Sequence, residues 1–323
     1  MSDNISPREL PHERAQRLLM ITTAQAEYAE GDRDPVWCSK AFYGEFGDNH
    51  LQDTTLEGGQ TYESIPEMIA VANEAIDRYR NKPELSLFKD SHLKTFGLVL
   101  DKLSNACKTY WGPVCSDNFV RYLEDRSNEI KNLSVNDFVL WCGGWMGTDG
   151  GHAIMYYIEK TSAKTVSFVV LNTGEGVGYH PGAGSDKTKR HTQYRINDIP
   201  IENITDTSWL YFLFRIQAFG HKDHEAKLFY EVILPALVQD SLCAATQKSG
   251  KDKYLVPETL QRSGVCYYRC ILCATRYSMR RLGLNQNQVK QMLHVIRRGF
   301  IHRVIHDLKR THKSVLDQNS DDV

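Results

Sequence analysis

Residues 152–172 constrain the fold more than any other stretch of this chain. HAIMYYIEK and TVSFVVLN are two runs rich in β-branched and aromatic residues, and they flank the short polar turn TSAK. That pattern predicts an antiparallel hairpin. Just before it, the apolar run DFVLWC is followed by GGWMGTDGGH, with five glycines in ten residues. Helical patterns lie on both sides of this region, so the expected class is α+β with a small antiparallel sheet.

The first 130 residues read as a largely helical region, with residues 131–323 as the domain that follows. PRELPHERAQRLLMITTAQAEYAE has an apolar stripe at Leu18, Ile21 and Ala24. GDNHLQDTTLEGGQT is a polar, glycine-rich loop. In SIPEMIAVANEAIDRYRNK, Ser64 with Glu67 three residues on has the capping-box spacing and predicts a helix start. SHLKTFGLVLDKLSNACKTYW carries the stripe Leu93, Phe96, Leu100 and Leu103. After the hairpin, TGEGVGYHPGAGSDKTKRH reads as a long surface loop. DTSWLYFLFRIQAFG and HEAKLFYEVILPALVQDSL read as helices, and TQKSGKDKYLVPETLQRSGV as a loop that enters another helix near Cys266. From Arg276 to Lys313 there are ten Lys and Arg against the single acid Asp307, over a helical stripe of Leu293, Ile296, Phe300, Val304 and Leu308. This basic helix reads first as a solvated face, with an acidic partner as the alternative. The last residues, DQNSDDV, read as disordered.

A formal net charge of −1 argues against a protein steered mainly by nucleic-acid phosphates, although the basic 276–313 segment keeps that question open. No apolar run reaches the roughly 18 residues of a membrane span. The N-terminal MSDNISPREL lacks a basic and an apolar stretch, so no secretory signal is read there. Eight cysteines in such a chain point to reduced thiols in a cytoplasmic or nuclear setting.

Three of those cysteines, Cys266, Cys270 and Cys273, are spaced C-x3-C-x2-C. The spacing admits an iron–sulfur cluster, three packed thiols on one helix face, or a helix opened by a nucleophile. A cluster motif of this kind normally lies in a loop ahead of a long barrel, whereas only 50 residues follow Cys273 and they read as helical. Positions i, i+4 and i+7 are accounted for by packing of Cys270 and Cys273. No metal or other cofactor is therefore expected. A thiol nucleophile needs a base, a group that orients the base, and donors for the oxyanion. Cys266 follows Gly264 closely and precedes the apolar pattern YYRCILCATRY, which sets it at a helix N-terminus, where a thiol pKa is lowered. His152 heads one hairpin strand after Asp149, Gly150 and Gly151, and Asn172 ends the other, so a tight hairpin brings them to the same end. Gln261, five residues before Cys266, is the side chain available to an oxyanion.

GHAIMYYIE…VSFVVLNTGEG resembles the histidine–asparagine hairpin of papain-type cysteine peptidases, and LQRSGVCYY resembles their glutamine-then-cysteine helix start. The order His152, Asn172, Gln261, Cys266 is similar to that of the SUMO-specific and adenoviral proteases, in which the papain order is circularly permuted. The resemblance covers roughly residues 137–282. It implies a papain-like permuted fold and a thiol hydrolase of peptide or isopeptide bonds, with a protein substrate such as ubiquitin or a ubiquitin-like modifier. Val265 and Tyr267 beside the cysteine, and Ala153 after the histidine, differ from the SUMO-specific pattern.

Gly143, Gly144, Gly150 and Gly151 are expected to line a cleft narrow enough for a Gly-Gly tail. Trp145 is either a core aromatic or a cleft wall. His180, in GYHPG, is a rival base that reads as a substrate-contacting or surface residue, and Asp149 is an alternative orienting group. The same cysteine and histidine would also serve an acyltransferase or deamidase, and a non-catalytic binding module is the remaining alternative.

Overall fold

The structure, a computed structural model, describes residues 61–80, 88–115, 118–148, 150–182, 189–238, 254–255, 257–259 and 266–320. The helix and loop expected before Thr61 lie outside these residues. Three helices come first: α1 (Thr61–Arg80), α2 (Asp90–Cys115) and α3 (Phe119–Lys131). The start of α1 is a correction. Ser64 is not the cap but a fully buried residue in the first turn, because Tyr62 and Ile65 also pack in the core and carry the helix back to Thr61. At α3, by contrast, Asn118 does cap the helix, accepting the Arg121 N–H at 3.0 Å.

The hairpin forms as expected from β2 (Gly151–Lys160) and β3 (Thr165–Leu171). Strand β1 (Phe138–Met146) runs on through both glycines and pairs antiparallel with β2 over its whole length. Strand β5 (Gln193–Pro200), which the sequence reading missed, closes a four-stranded antiparallel sheet in the order β1-β2-β3-β5. It is hard to see in the sequence because its alternation stops at Asn197. Asp198 has a positive φ of 56°, and the ladder to β3 shifts register between Val166 and Phe168. Two segments expected to be loop, β4 (Lys189–His191) and β6 (Pro257–Thr259), pair with each other.

The sheet is covered on both faces. Alternate residues of β2 divide between two hydrophobic cores, with Met155 and Tyr157 on one side and Ile154, Tyr156 and Ile158 on the other. The first core takes in α1, α2, and the two helices α7 (Cys266–Arg281) and α8 (Gln286–Ser320). Helices on either side of residue 130 thus share one core. The second core takes in α3, the short α4 (Ile201–Ile204), α5 (Thr207–Ala218) and α6. Helix α6 consists of Ala226–Leu228 and Leu234–Val238, joined without a break by one π turn, Phe229–Ile233. The chain is an α+β protein. Among the described residues, no helix is long and apolar enough to cross a membrane. Helix α8 continues through Ser320, into the segment expected to be disordered, and buries Leu293, Ile296 and Phe300 of its stripe.

Candidate functional site

Strand β2 opens on Gly151, and the second residue, His152, turns its ring toward the second core. The ring is 6% exposed and lies against the Trp145 indole, with centroids 5.0 Å apart. His152 Nε2 is 2.8 Å from Asn172 Oδ1, at the end of β3. Asn172 is fully buried and every polar atom of its amide has a partner. Oδ1 also accepts the Gly174 N–H at 2.9 Å, while Nδ2 donates to the Glu175 carbonyl at 2.6 Å and to the Tyr230 hydroxyl at 3.1 Å. A flipped amide would set N–H against N–H at Gly174 and oxygen against oxygen at Glu175, so both backbone contacts favour this orientation. Because Asn172 presents an oxygen to His152, Nε2 carries the proton and Nδ1 holds the lone pair.

Cys266 is the first residue of α7 and is 9% exposed. The Ala153 N–H donates to its Sγ at 3.4 Å, so the thiol meets β2 at the residue directly after His152. The helix is held there by the buried Tyr267, Tyr268, Cys270 and Ile271, which pack into the first core. The thiol thus lies in the first turn, at the positive end of the helix dipole.

Burial holds the His152 imidazole below the usual histidine value of 6.5, while the Asn172 hydrogen bond and the Glu175 charge pull the other way. Near neutral pH the ring is therefore a neutral base. The Glu175 carboxylate accepts the Trp145 indole N–H at 3.1 Å, which keeps that charge near the ring. Elsewhere burial suppresses thiol ionisation: it pushes Cys107 up to about 12 and raises Cys142 and Cys270 well above the ordinary thiol value. Cys270 and Cys273 are core residues of α7, 0% and 1% exposed. No cluster of three or more His, Cys, Asp or Glu able to hold a metal ion occurs among the described residues.

The structure thus brings His152, Asn172 and the thiol of Cys266 to one end of the hairpin. Gln261 and Asp149 lie outside the described residues. Of the residues expected to touch substrate or line its cleft, Gly150 and Gly151 are exposed. Gly143 and Gly144 do not line a cleft. A Cβ on Gly143 would stand 2.3 Å from the Tyr156 ring, and one on Gly144 would stand 2.1 Å from the His152 carbonyl oxygen, so both are filled strand positions. Trp145 is 3% exposed and serves as a core aromatic that also backs His152. His180 is corrected from a surface residue to a buried one, 2% exposed, because both ring nitrogens are engaged by the interior: Nδ1 with the His191 carbonyl at 2.8 Å and Nε2 with the Tyr230 hydroxyl at 2.7 Å. Tyr230 and Glu175 escaped the sequence reading. Glu175 stands three residues after Asn172 and was within reach of it. Tyr230 lies 58 residues from Asn172 in an ordinary amphipathic stripe, where nothing local marks it. No protein-family model matches the chain, and no curated protein is significantly similar to it in sequence.

Proposed function

We propose that this chain is a thiol hydrolase of peptide or isopeptide bonds, built on the permuted papain-like plan. One observation carries the reading: a helix-start thiol receives the N–H of the residue directly after His152, and Nε2 of the His152 ring is held by a fully bonded asparagine. Cys266 Sγ attacks the carbonyl carbon as its proton passes to the lone pair on His152 Nδ1. The first-turn N–H groups of α7 face the oxyanion that develops. When the tetrahedral intermediate collapses, the C–N bond breaks, His152 returns the proton to the leaving amine, and a thioester remains. Water then attacks that thioester with His152 taking its proton, and the thiol is regenerated with release of the acid. Asn172 transfers no proton; it keeps Nδ1 available. The substrate that goes with this plan is a protein, with ubiquitin or a ubiquitin-like modifier as the first class to try. The packed positions of Gly143 and Gly144 withdraw the glycine-lined cleft as support for that choice, which leaves the resemblance to carry it.

The test is competition among thiols in the full chain. Limiting iodoacetamide, followed by peptide mass mapping, is expected to alkylate Cys266 ahead of the other cysteines. His152→Ala should slow that reaction by about tenfold or more, given that a positioned base contributes 10²–10⁴ to a complete turnover. Asn172→Ala should slow it less. Alkylation of Cys266 at the rate of the buried thiols, or indifference to His152→Ala, overturns the nucleophile and base roles. Ubiquitin with a C-terminal electrophile then tests the substrate: labelling of Cys266 supports a modifier, whereas failure alongside rapid iodoacetamide reaction removes the modifier alone.

A further inference from the structure

Behind Asn172 the hydrogen bonds continue into the second core, and their direction is fixed from the far end. His180 Nδ1 faces the His191 carbonyl, which only accepts, so Nδ1 carries the proton. In the neutral ring Nε2 is then an acceptor, and burial keeps His180 neutral by driving its pKa down to about 3. The Tyr230 hydroxyl must therefore donate to His180 Nε2, which leaves its oxygen to accept the Asn172 amide N–H. The Asn172 oxygen in turn accepts from His152 Nε2–H. Four bonds point one way, from His152 through Asn172, Tyr230 and His180 to a backbone carbonyl.

Two further features say that this arrangement is built. Tyr230 is fully buried and stacks on Tyr179, with centroids 4.8 Å apart and planes 8° from parallel. It also stands in the π turn of α6, and single π turns of this kind are rare and concentrate at functional positions.

We infer that Tyr230 and His180 are positioning residues for His152: they form a directional hydrogen-bond relay that acts together with the Gly174 and Glu175 backbone contacts to hold the Asn172 amide, and so keeps His152 with its proton on Nε2 and its lone pair on Nδ1. The inference rests on the proposed roles of His152 and Asn172, but it concerns a tautomer and is read without any substrate. Neither side chain touches the reacting atoms. A purely structural pair would serve equally well with any shape-filling replacement, and a relay would not.

The decisive measurement is a long-range 1H–15N imidazole spectrum of the full chain labelled in histidine. The relay requires His152 as the pure Nε2–H form and His180 as the pure Nδ1–H form. Tyr230→Phe deletes the one hydroxyl that joins the two, and is expected to give a mixture of His152 tautomers and about tenfold slower alkylation of Cys266 by iodoacetamide. His180→Gln keeps an acceptor for Tyr230 and should retain the pure Nε2–H form, whereas His180→Leu should lose it. The glutamine and leucine pair decides the matter if Tyr230→Phe does not fold. A pure Nε2–H form in both Tyr230→Phe and His180→Leu, or loss of it in His180→Gln as much as in His180→Leu, overturns the relay. If the spectra follow the expected pattern while His152→Ala leaves alkylation unchanged, the relay stands and the thiol-hydrolase reading falls.

Discussion

Gly144 pairs with Ala153 in the β1–β2 ladder at φ +142°, a region that side chains with a Cβ rarely occupy. A methyl group there would also stand 2.1 Å from the His152 carbonyl oxygen. Gly144→Ala therefore combines backbone strain with a clash, and we predict a loss of about 2–4 kcal/mol in denaturant unfolding. Unchanged stability would mean that β1 relaxes away from β2 at no cost. The contrast with Cys266, His152 and Asn172 shows which residues a sequence reveals. Those three are marked by local events, namely a helix start, a strand start and a hairpin end, whose patterns lie within a few residues. The roles of Gly144 and His180 depend on distant partners: the His152 carbonyl across the ladder for one, and Tyr230 some fifty residues later for the other. For such positions composition suggests only flexibility or exposure, and here both suggestions failed.

Between elements, a buried polar tie runs through Glu159 on β2. It pairs with Arg195 of β5 at 3.1 Å and with Arg281 at the C-terminal end of α7, and it is 8% exposed. The Tyr277 hydroxyl also accepts from Arg195, at 2.7 Å. The cluster pins the far end of the helix that Cys266 begins. Removing the Glu159 carboxylate takes from Arg195, 7% exposed, the ion pair it makes there. We predict that Glu159→Ala costs about 3–5 kcal/mol, measured by chemical denaturation, and that Arg281→Met costs less because Glu159 and Arg195 remain paired. Equal losses for the two variants would refute this ranking. Elements with a clean period, such as the hairpin, α2 and α7, were legible because burial follows a single repeat along each. Strand β5 was not, since Arg195 is buried by this ion pair and its charge disguises the strand pattern.

At the scale of the molecule, the two buried histidines set how the fold responds to acid. His180 stays neutral in the folded chain down to about pH 3, whereas unfolded it titrates near 6.5. Below pH 6.5 the unfolded chain therefore binds the extra proton, and stability falls as pH drops from about 6.5 toward 3. The slope from this one group approaches 1.4 kcal/mol per pH unit. His152, also held below its ordinary value, adds in the same direction. We predict a melting temperature that declines over that window, and a shallower decline in His180→Gln whatever its absolute stability. A decline of the same steepness in the variant would assign the acid response to other groups.

The four-stranded sheet is a shared wall between two independently packed interiors. The imidazole takes its support from the interior beneath α5 and α6, and the thiol takes its support from the one beneath α1 and α7. Their approach across the first residues of β2 therefore requires both interiors to be complete at once. A chain that has formed its helices and only one of the two interiors would hold the Cys266 thiol or the His152 imidazole in place, but not both. On the proposed roles of Cys266 and His152, a partly packed chain would therefore lack the pair on which the chemistry depends.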